Sequence, residues 1–332
     1  MNINYEFYIF NIIISVISII LIESLKKKES ALIIFDKPDN NRKIHTKPIP
    51  LLGGPIILLY VCSILMFLCF YSNLKFKLIL ILFFLYLVFF ILGFIDDKNG
   101  ISPLKKTLII FSLLFLILPL DQDLLVKNLL FKDLKVNILL NQASIFFTIF
   151  CIYIFFNILN FSDGVNGIAL GISLYWILVF LIFGNFNNLF LISFLICTFI
   201  VLIYNIKNDL FIGNSGSSIL SSILASLFIL EYNFYNTFYC DEIFLLMFLP
   251  AVDAARISIE RILKKASPFL PDKNHFHHLL MKKVNANYVF VIYIIFSILP
   301  FILSLTILKT YYSFILSIII YFSILLFLKK SA

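Results

Sequence analysis

The sequence predicts an all-α polytopic membrane protein of about 10–11 transmembrane helices, on three observations. Hydrophobic residues make up 62% of the 332 and charged residues only 13%, whereas a soluble domain is nearer half apolar and a quarter charged. Several apolar runs reach the roughly 20 residues that cross a hydrocarbon core as helix. The runs are continuously apolar rather than alternating, so their backbone groups are to be satisfied within helices and not in a barrel.

Taken in order, hydropathy and loop signals place eleven spans near 5–25, 51–71, 76–95, 104–120, 143–160, 166–183, 189–206, 217–231, 243–258, 288–308 and 312–328. The fourth, eighth and ninth are short or interrupted. The first run has no basic n-region and is followed, not preceded, by Lys26, Lys27 and Lys28, so it reads as a span with its N-terminus outside rather than a cleaved signal. No soluble domain, linker or internal repeat stands out, and 1–332 reads as a single transmembrane domain. Cys62, Cys69, Cys151 and Cys197 lie in apolar runs and suggest no disulfide framework.

Charge gives the orientation. The segments 26–50, 96–106, 160–166, 207–216, 256–287 and the C-terminal tail hold 20 of the 26 Lys and Arg residues. That bias places them, and the C-terminus, in the cytoplasm. It also accounts for the net charge of +8 without invoking nucleic acid.

The unusual polar residues fall on that same face. All four histidines, Asp96 and Asp97, the segment Asn160–Gly167 and the segment Gly213–Ser218 are there. A transporter should also carry ionisable groups near the midplane, and the span middles are nearly free of them. The first cluster runs from Asp36-Lys37-Pro38 through Arg42, Lys43 and His45 to Gly53 and Gly54. It reads either as a basic span flank or as an anion site, with a guanidinium and approachable backbone N–H groups to meet phosphate. Asp96 and Asp97 end an apolar helix. Adjacent carboxylates repel, so a divalent cation is a natural third member, and Lys105 and Lys106 follow at the interface. Asn160, Asp163 and Asn166 recur every three residues, which would stack them on one face of any helical turn; an Asx-rich turn is the plainer alternative. Gly213-Asn214-Ser215-Gly216 opens the eighth span, as an N-cap or as helix-start N–H groups turned to a phosphate. The densest cluster is Asp272, His275, His277 and His278. Zinc is one reading, but no cysteine accompanies the set and basic residues surround it, so donors to phosphate and sugar hydroxyls fit better.

These motifs, in this order, resemble the polyprenyl-phosphate N-acetylhexosamine-1-phosphate transferases. The resemblance runs from about Asp36 to His278 through Arg-Lys-Ile-His, Pro-Ile-Pro-Leu-Leu-Gly-Gly, Gly-Phe-Ile-Asp-Asp, Asn-Phe-Ser-Asp-Gly-Val-Asn-Gly, Gly-Asn-Ser-Gly-Ser and Pro-Asp-Lys-Asn-His-Phe-His-His. It implies a phosphotransferase of the bacterial inner membrane that moves a sugar-1-phosphate from a UDP-sugar to undecaprenyl phosphate, releases UMP and starts a cell-surface glycan such as O-antigen. It implies a cytoplasmic active site that uses Mg²⁺, with Mn²⁺ as a substitute, and it is compatible with a homodimer. By the same resemblance Asp96, Asp97 and Asp163 are catalytic acids, Asn160 and Asn214 are metal ligands, and Asn166 contacts uracil. Lys106 lies near the carrier phosphate. His275, His277 and His278 match the loop that holds sugar and pyrophosphate, and Arg42, Lys43, His45 and Asp272 are read from their chemistry as further substrate-binding residues. One departure stands out: Asn214 occupies a position where the family usually has Asp, which lowers the charge available to a cation. The rival readings are a phospho-MurNAc-pentapeptide transferase, an inactive relative and a transporter.

Overall fold

The computed structural model describes residues 3–26, 33–38, 47–235, 237–265, 274–306 and 308–330. Arg42, Lys43, His45 and Asp272 lie outside the described residues. The helices are α1 (Ile3–Leu25), α2 (Gly53–Tyr71), α3 (Phe76–Asn99), α4 (Pro103–Ile117), α5 (Ser144–Ser162), α6 (Ile168–Phe183), α7 (Asn188–Ile206) and α8 (Gly213–Leu230). They continue as α9 (Cys240–Leu246), α10 (Phe248–Leu263), α11 (Phe276–Met281), α12 (Ala286–Thr306) and α13 (Thr310–Lys330). Among the described residues, nine helical segments are long and apolar enough to cross a membrane, and α6 is apolar but shorter.

Two expectations change. The ninth span is not one helix: it breaks at Met247 into α9 and α10. The physical reason is α10's composition. Asp253, Arg256, Glu260 and Arg261 recur at three- and four-residue spacing and make one polar face, so α10 packs that face into protein instead of presenting a uniform apolar surface to lipid. The third span also runs further, to Asn99. Asp96 and Asp97 therefore sit in the last turn of a helix, and only then does Gly100 turn the chain.

Two short antiparallel ladders have no counterpart in the hydropathy pattern. β1 (Phe35–Asp36) pairs with β2 (Ile49–Pro50), and β3 (Asn128–Leu130) pairs with β4 (Asn137–Leu139). The first pair ties the segment before α2 to the start of α8, because Phe211 N–H donates to the Pro50 carbonyl at 3.0 Å and Gly53 N–H to the Phe211 carbonyl at 3.1 Å.

The bundle is organised around α8, which packs against α2, α3 and α5. Ser215 through Leu230 are all buried. A helix surrounded by others must let their backbones come close, and small residues do that. Six serines serve here, and Ser221, Ser222 and Ser226 return their hydroxyl protons to carbonyls three residues back, at 2.7–2.8 Å. Ser226 also meets the Tyr86 hydroxyl at 2.7 Å. The neighbours contribute glycines at the contact. A Cβ on Gly93 would lie 2.6 Å from Ser215 Cα, and one on Gly54 2.7 Å from the Gly216 nitrogen. The Gly53-Gly54 pair therefore serves the close packing of α2 against the start of α8.

Gly93→Ala is expected to destabilise the protein by about 1–3 kcal/mol through overpacking against backbone. A lowered thermal midpoint in detergent checks this, with Leu80→Ala on the exposed side of α3 as the control that shifts it less.

Candidate active site

The polar residues gather where α3, α5 and α10 end and α8 begins. α3 supplies two adjacent acids, and one residue's rotation about the helix sends them to different neighbours. Asp97 turns to α8: its Oδ1 accepts the Asn214 N–H at 2.7 Å and its Oδ2 the Ser215 N–H at 2.9 Å. A carboxylate is the natural partner of N–H groups left open at a helix start. The α8 N-terminus thus meets an internal anion at Asn214 and Ser215. Gly213 makes the approach possible. It has φ +66°, and a side chain there would press on the Asp97 carboxylate.

Asp96 turns to α4. Its Oδ2 pairs with Lys106 Nζ at 2.7 Å, and its Oδ1 accepts the Ile101 N–H at 2.6 Å. Lys106 also lies over the Phe156 ring, 4.8 Å from its centre. The two acids thus have separate protein partners: a lysine pairs with one, and helix N–H groups with the other.

Asn160 sits in the last turn of α5. Its Nδ2 donates to Asn214 Oδ1 at 2.9 Å and to Ser217 Oγ at 3.3 Å. α5 stops at Ser162, and Asp163 caps it. The helical turn that would have stacked Asn160, Asp163 and Asn166 is absent. Asn166 lies beyond the turn and donates to Asn208 Oδ1 at 2.7 Å. Asp163 stays on the site side. Burial raises its carboxyl well above the usual carboxylate range, helped by the negative charges of Asp97 and Asp36.

α11 brings the histidines to the same place. His275 and His277 stack with ring centres 5.4 Å apart. A side chain on Gly164 would lie 2.9 Å from His277 Nε2 and 3.1 Å from His278 Nε2, so the imidazoles rest directly on the turn after Asp163. His277 is buried, and neither ring nitrogen has a hydrogen-bond partner. Burial, with His278 and His275 beside it, pulls its pKa well below the usual imidazole range, so the ring is neutral near pH 7. His275 Nδ1 donates to Asp253 Oδ2 at 2.9 Å. Asp253, Arg256 and Tyr321 surround that contact. Sequence reading gave these three no role; an acid and an arginine three residues apart in an apolar stretch were the available signal.

The oxygen donors of Asn160, Asn214 and Ser217 suit a hard cation such as Mg²⁺, which takes one or two carboxylates together with ligand phosphates. Among the described residues no group of three or more His, Cys, Asp or Glu side chains is placed to hold a metal. Any cation here would depend on neutral oxygens, on nearby acids and on the phosphates of a ligand.

Asp97→Asn is expected to lower the thermal midpoint more than Asp96→Asn. An amide sets its NH₂ against one of two N–H groups fixed in α8, at about 1–3 kcal/mol for a buried unsatisfied donor, whereas Lys106 can swing away. Unfolding curves of the two detergent-purified variants check the order.

The sequence model of glycosyl transferase family 4 matches residues 79–231, the stretch that carries Asp96, Asp97, Asn160, Asp163 and Asn214. A probable undecaprenyl-phosphate N-acetylglucosaminyl 1-phosphate transferase of Bacillus subtilis is 28% identical over 88% of this chain and 84% of its own length. The undecaprenyl-phosphate alpha-N-acetylglucosaminyl 1-phosphate transferase of Escherichia coli K12 is 26% identical over 75% of this chain and 69% of its own. A phospho-N-acetylmuramoyl-pentapeptide-transferase of Prochlorococcus marinus is 25% identical over 71% and 67%. Over residues 79–231 the chain is thus similar to glycosyl transferase family 4.

Proposed function

We propose that the protein transfers a sugar-1-phosphate of the N-acetylhexosamine class from a UDP-sugar to undecaprenyl phosphate, at the cytoplasmic face of a bacterial inner membrane, as the first step of a cell-surface glycan. The observation that carries this reading is the meeting at one end of α8 of the Asp96–Lys106 pair, Asp97, the Asn160–Asn214 contact and the α11 histidines. The relatives named above add the acceptor and the sugar.

Both reactants are anions, so charge is the first obstacle. Lys106, at the start of α4 and over the Phe156 ring, receives the carrier phosphate. Asp96, freed from Lys106 as that phosphate takes the ammonium, orients the attacking oxygen and accepts its proton. That oxygen attacks the sugar-bearing phosphorus, the bond to the UMP oxygen breaks, and UMP leaves. His277 and His278 line the sugar and pyrophosphate side, and Asn166 stands at the nucleobase side. Asn160 and Asn214 would hold Mg²⁺, which neutralises pyrophosphate charge when bound. Asp97 keeps the α8 start in place beneath them. A phospho-MurNAc-pentapeptide transferase would use the same chemistry on a larger donor, and the Prochlorococcus marinus relative keeps that reading alive.

Membranes containing the protein, given undecaprenyl phosphate and a panel of UDP-sugars, are expected to release UMP with a UDP-N-acetylhexosamine and not with UDP-MurNAc-pentapeptide. The reverse preference would move the assignment to the larger donor, and silence with every donor would favour an inactive relative. In the active preparation Asp96→Asn should cut turnover by at least roughly a hundredfold while the protein stays in the membrane.

Asn214 supplies a neutral oxygen where the family usually has an acid. Asn214→Asp is therefore expected to lower the Mg²⁺ concentration for half-maximal rate, with a smaller change at saturation, and Mn²⁺ should serve the parent protein well. An unchanged or raised Mg²⁺ requirement in the variant would show that the missing charge is made up elsewhere.

A further inference from the structure

The histidine segment is held from behind by a buried polar knot that joins three helices. Asp253 on α10 is its centre. Asp253 Oδ1 accepts from the Tyr321 hydroxyl at 2.8 Å, from Arg256 Nη2 at 2.8 Å and from the Phe276 N–H at 3.1 Å. Its Oδ2 faces His275 Nδ1 at 2.9 Å and accepts the same Phe276 N–H at 3.1 Å. Arg256 completes the knot. Its Nε donates to the Tyr321 oxygen at 2.8 Å, its Nη2 to the Asn274 carbonyl at 2.7 Å and its Nη1 to Glu260 at 3.0 Å, where Lys329 from the end of α13 also binds. Asp253, Arg256, His275 and Tyr321 are each at most 7% exposed.

Three consecutive residues of the segment, Asn274, His275 and Phe276, are thus fixed by α10. The next two, His277 and His278, are the rings that rest on Gly164. Tyr321 is the only contributor from α13 to Asp253 among the described residues, and its hydroxyl both accepts from Arg256 and donates to Asp253. It sets the angle at which the ion pair meets the segment. A buried ion pair alone is a poor source of net stability, but a fully satisfied network fixes geometry.

We infer that Tyr321 is a positioning residue for donor recognition: through Asp253 and Arg256 it sets where His277 and His278 stand over the Asp163–Gly164 turn. It touches neither substrate nor the acids that face the carrier. Its loss therefore weakens capture of the UDP-sugar and leaves the chemical step and carrier binding alone. This rests on the transferase reading for its kinetic form, though not for its structural form.

The test is Tyr321→Phe, which keeps the ring packing against Phe276 and Phe322 and removes only the hydroxyl. Two measurements are made on the full-length protein in detergent. The first is the rate at which diethyl pyrocarbonate modifies His277 and His278, read by peptide mass spectrometry without any substrate. The second is steady-state UMP release with the donor and carrier varied separately. The expected result is histidine modification faster by about threefold or more and a KM for the UDP-sugar raised about fivefold to twentyfold, the scale of one charge-assisted hydrogen bond. kcat and the KM for the carrier should stay within about twofold. Unchanged modification and unchanged donor KM would overturn the inference, as would a fall in kcat at saturating donor with KM unmoved. A lowered thermal midpoint with both readouts unmoved would mark Tyr321 as structural and overturn it too. If the parent protein releases no UMP with any donor, the modification rate still decides: faster modification upholds the positioning role while the transferase reading falls, and no change removes both.

Discussion

The contact between Asp97 and the N–H groups of Asn214 and Ser215, in the first turn of α8, is the constraint on which the site depends. α8 begins beside the end of α3 and is enclosed by α2, α3 and α5, so its N-terminal N–H groups have little water to turn to. Without an acceptor they would cost free energy at the one place where the chain must also present Asn214. A carboxylate on α3 satisfies both at once. It fixes the rotation of α8 about its axis, and with that the position of Asn214 opposite Asn160. The glycines at 93, 54 and 213 let α8, α2 and α3 come close enough for the bond to form.

With that bond in place, the roles of the two adjacent acids separate. Asp97 is engaged by backbone that cannot move away, so it organises. Asp96 is engaged by a lysine side chain that can, so its carboxylate is the more easily released of the two. The same division holds across the site. Asn205 ties the Gly167 N–H to the Leu210 carbonyl and is buried scaffold, while Asn166 and Asn208 meet at the surface. The histidine segment follows suit, with His275 turned back to Asp253 and His277 and His278 turned toward Gly164.

Much of this was legible in the sequence because composition and motif order are strong signals in a membrane chain. Continuous apolar runs placed most of the helices, and the clustering of Asp96, Asp97, Asn160, Asp163, Asn214 and the histidines on one face marked the end of the bundle where they meet. The distribution of partners was not legible. Periodicity places a residue on a face but does not say which helix covers that face, so neither Asp97 on α8 nor Asp96 on Lys106 was foreseen. The ninth span was misread because hydropathy averages over a turn and hides the polar face of α10. The network of Asp253 with Tyr321 spans 68 residues of sequence, and no local pattern connects them.

The enclosure of α8 also bears on how the protein is made. Its mean hydropathy, 1.3, is the lowest of the nine candidate spans, since serine replaces leucine wherever a neighbour must approach. Alone in lipid such a segment gains little from burial. Yet the three helices that surround it, α2, α3 and α5, all lie earlier in the chain and have left the ribosome before α8 does. The helix least suited to the bilayer is thus synthesised only after the protein walls that replace lipid around it already exist, so the order of the sequence doubles as an order of assembly.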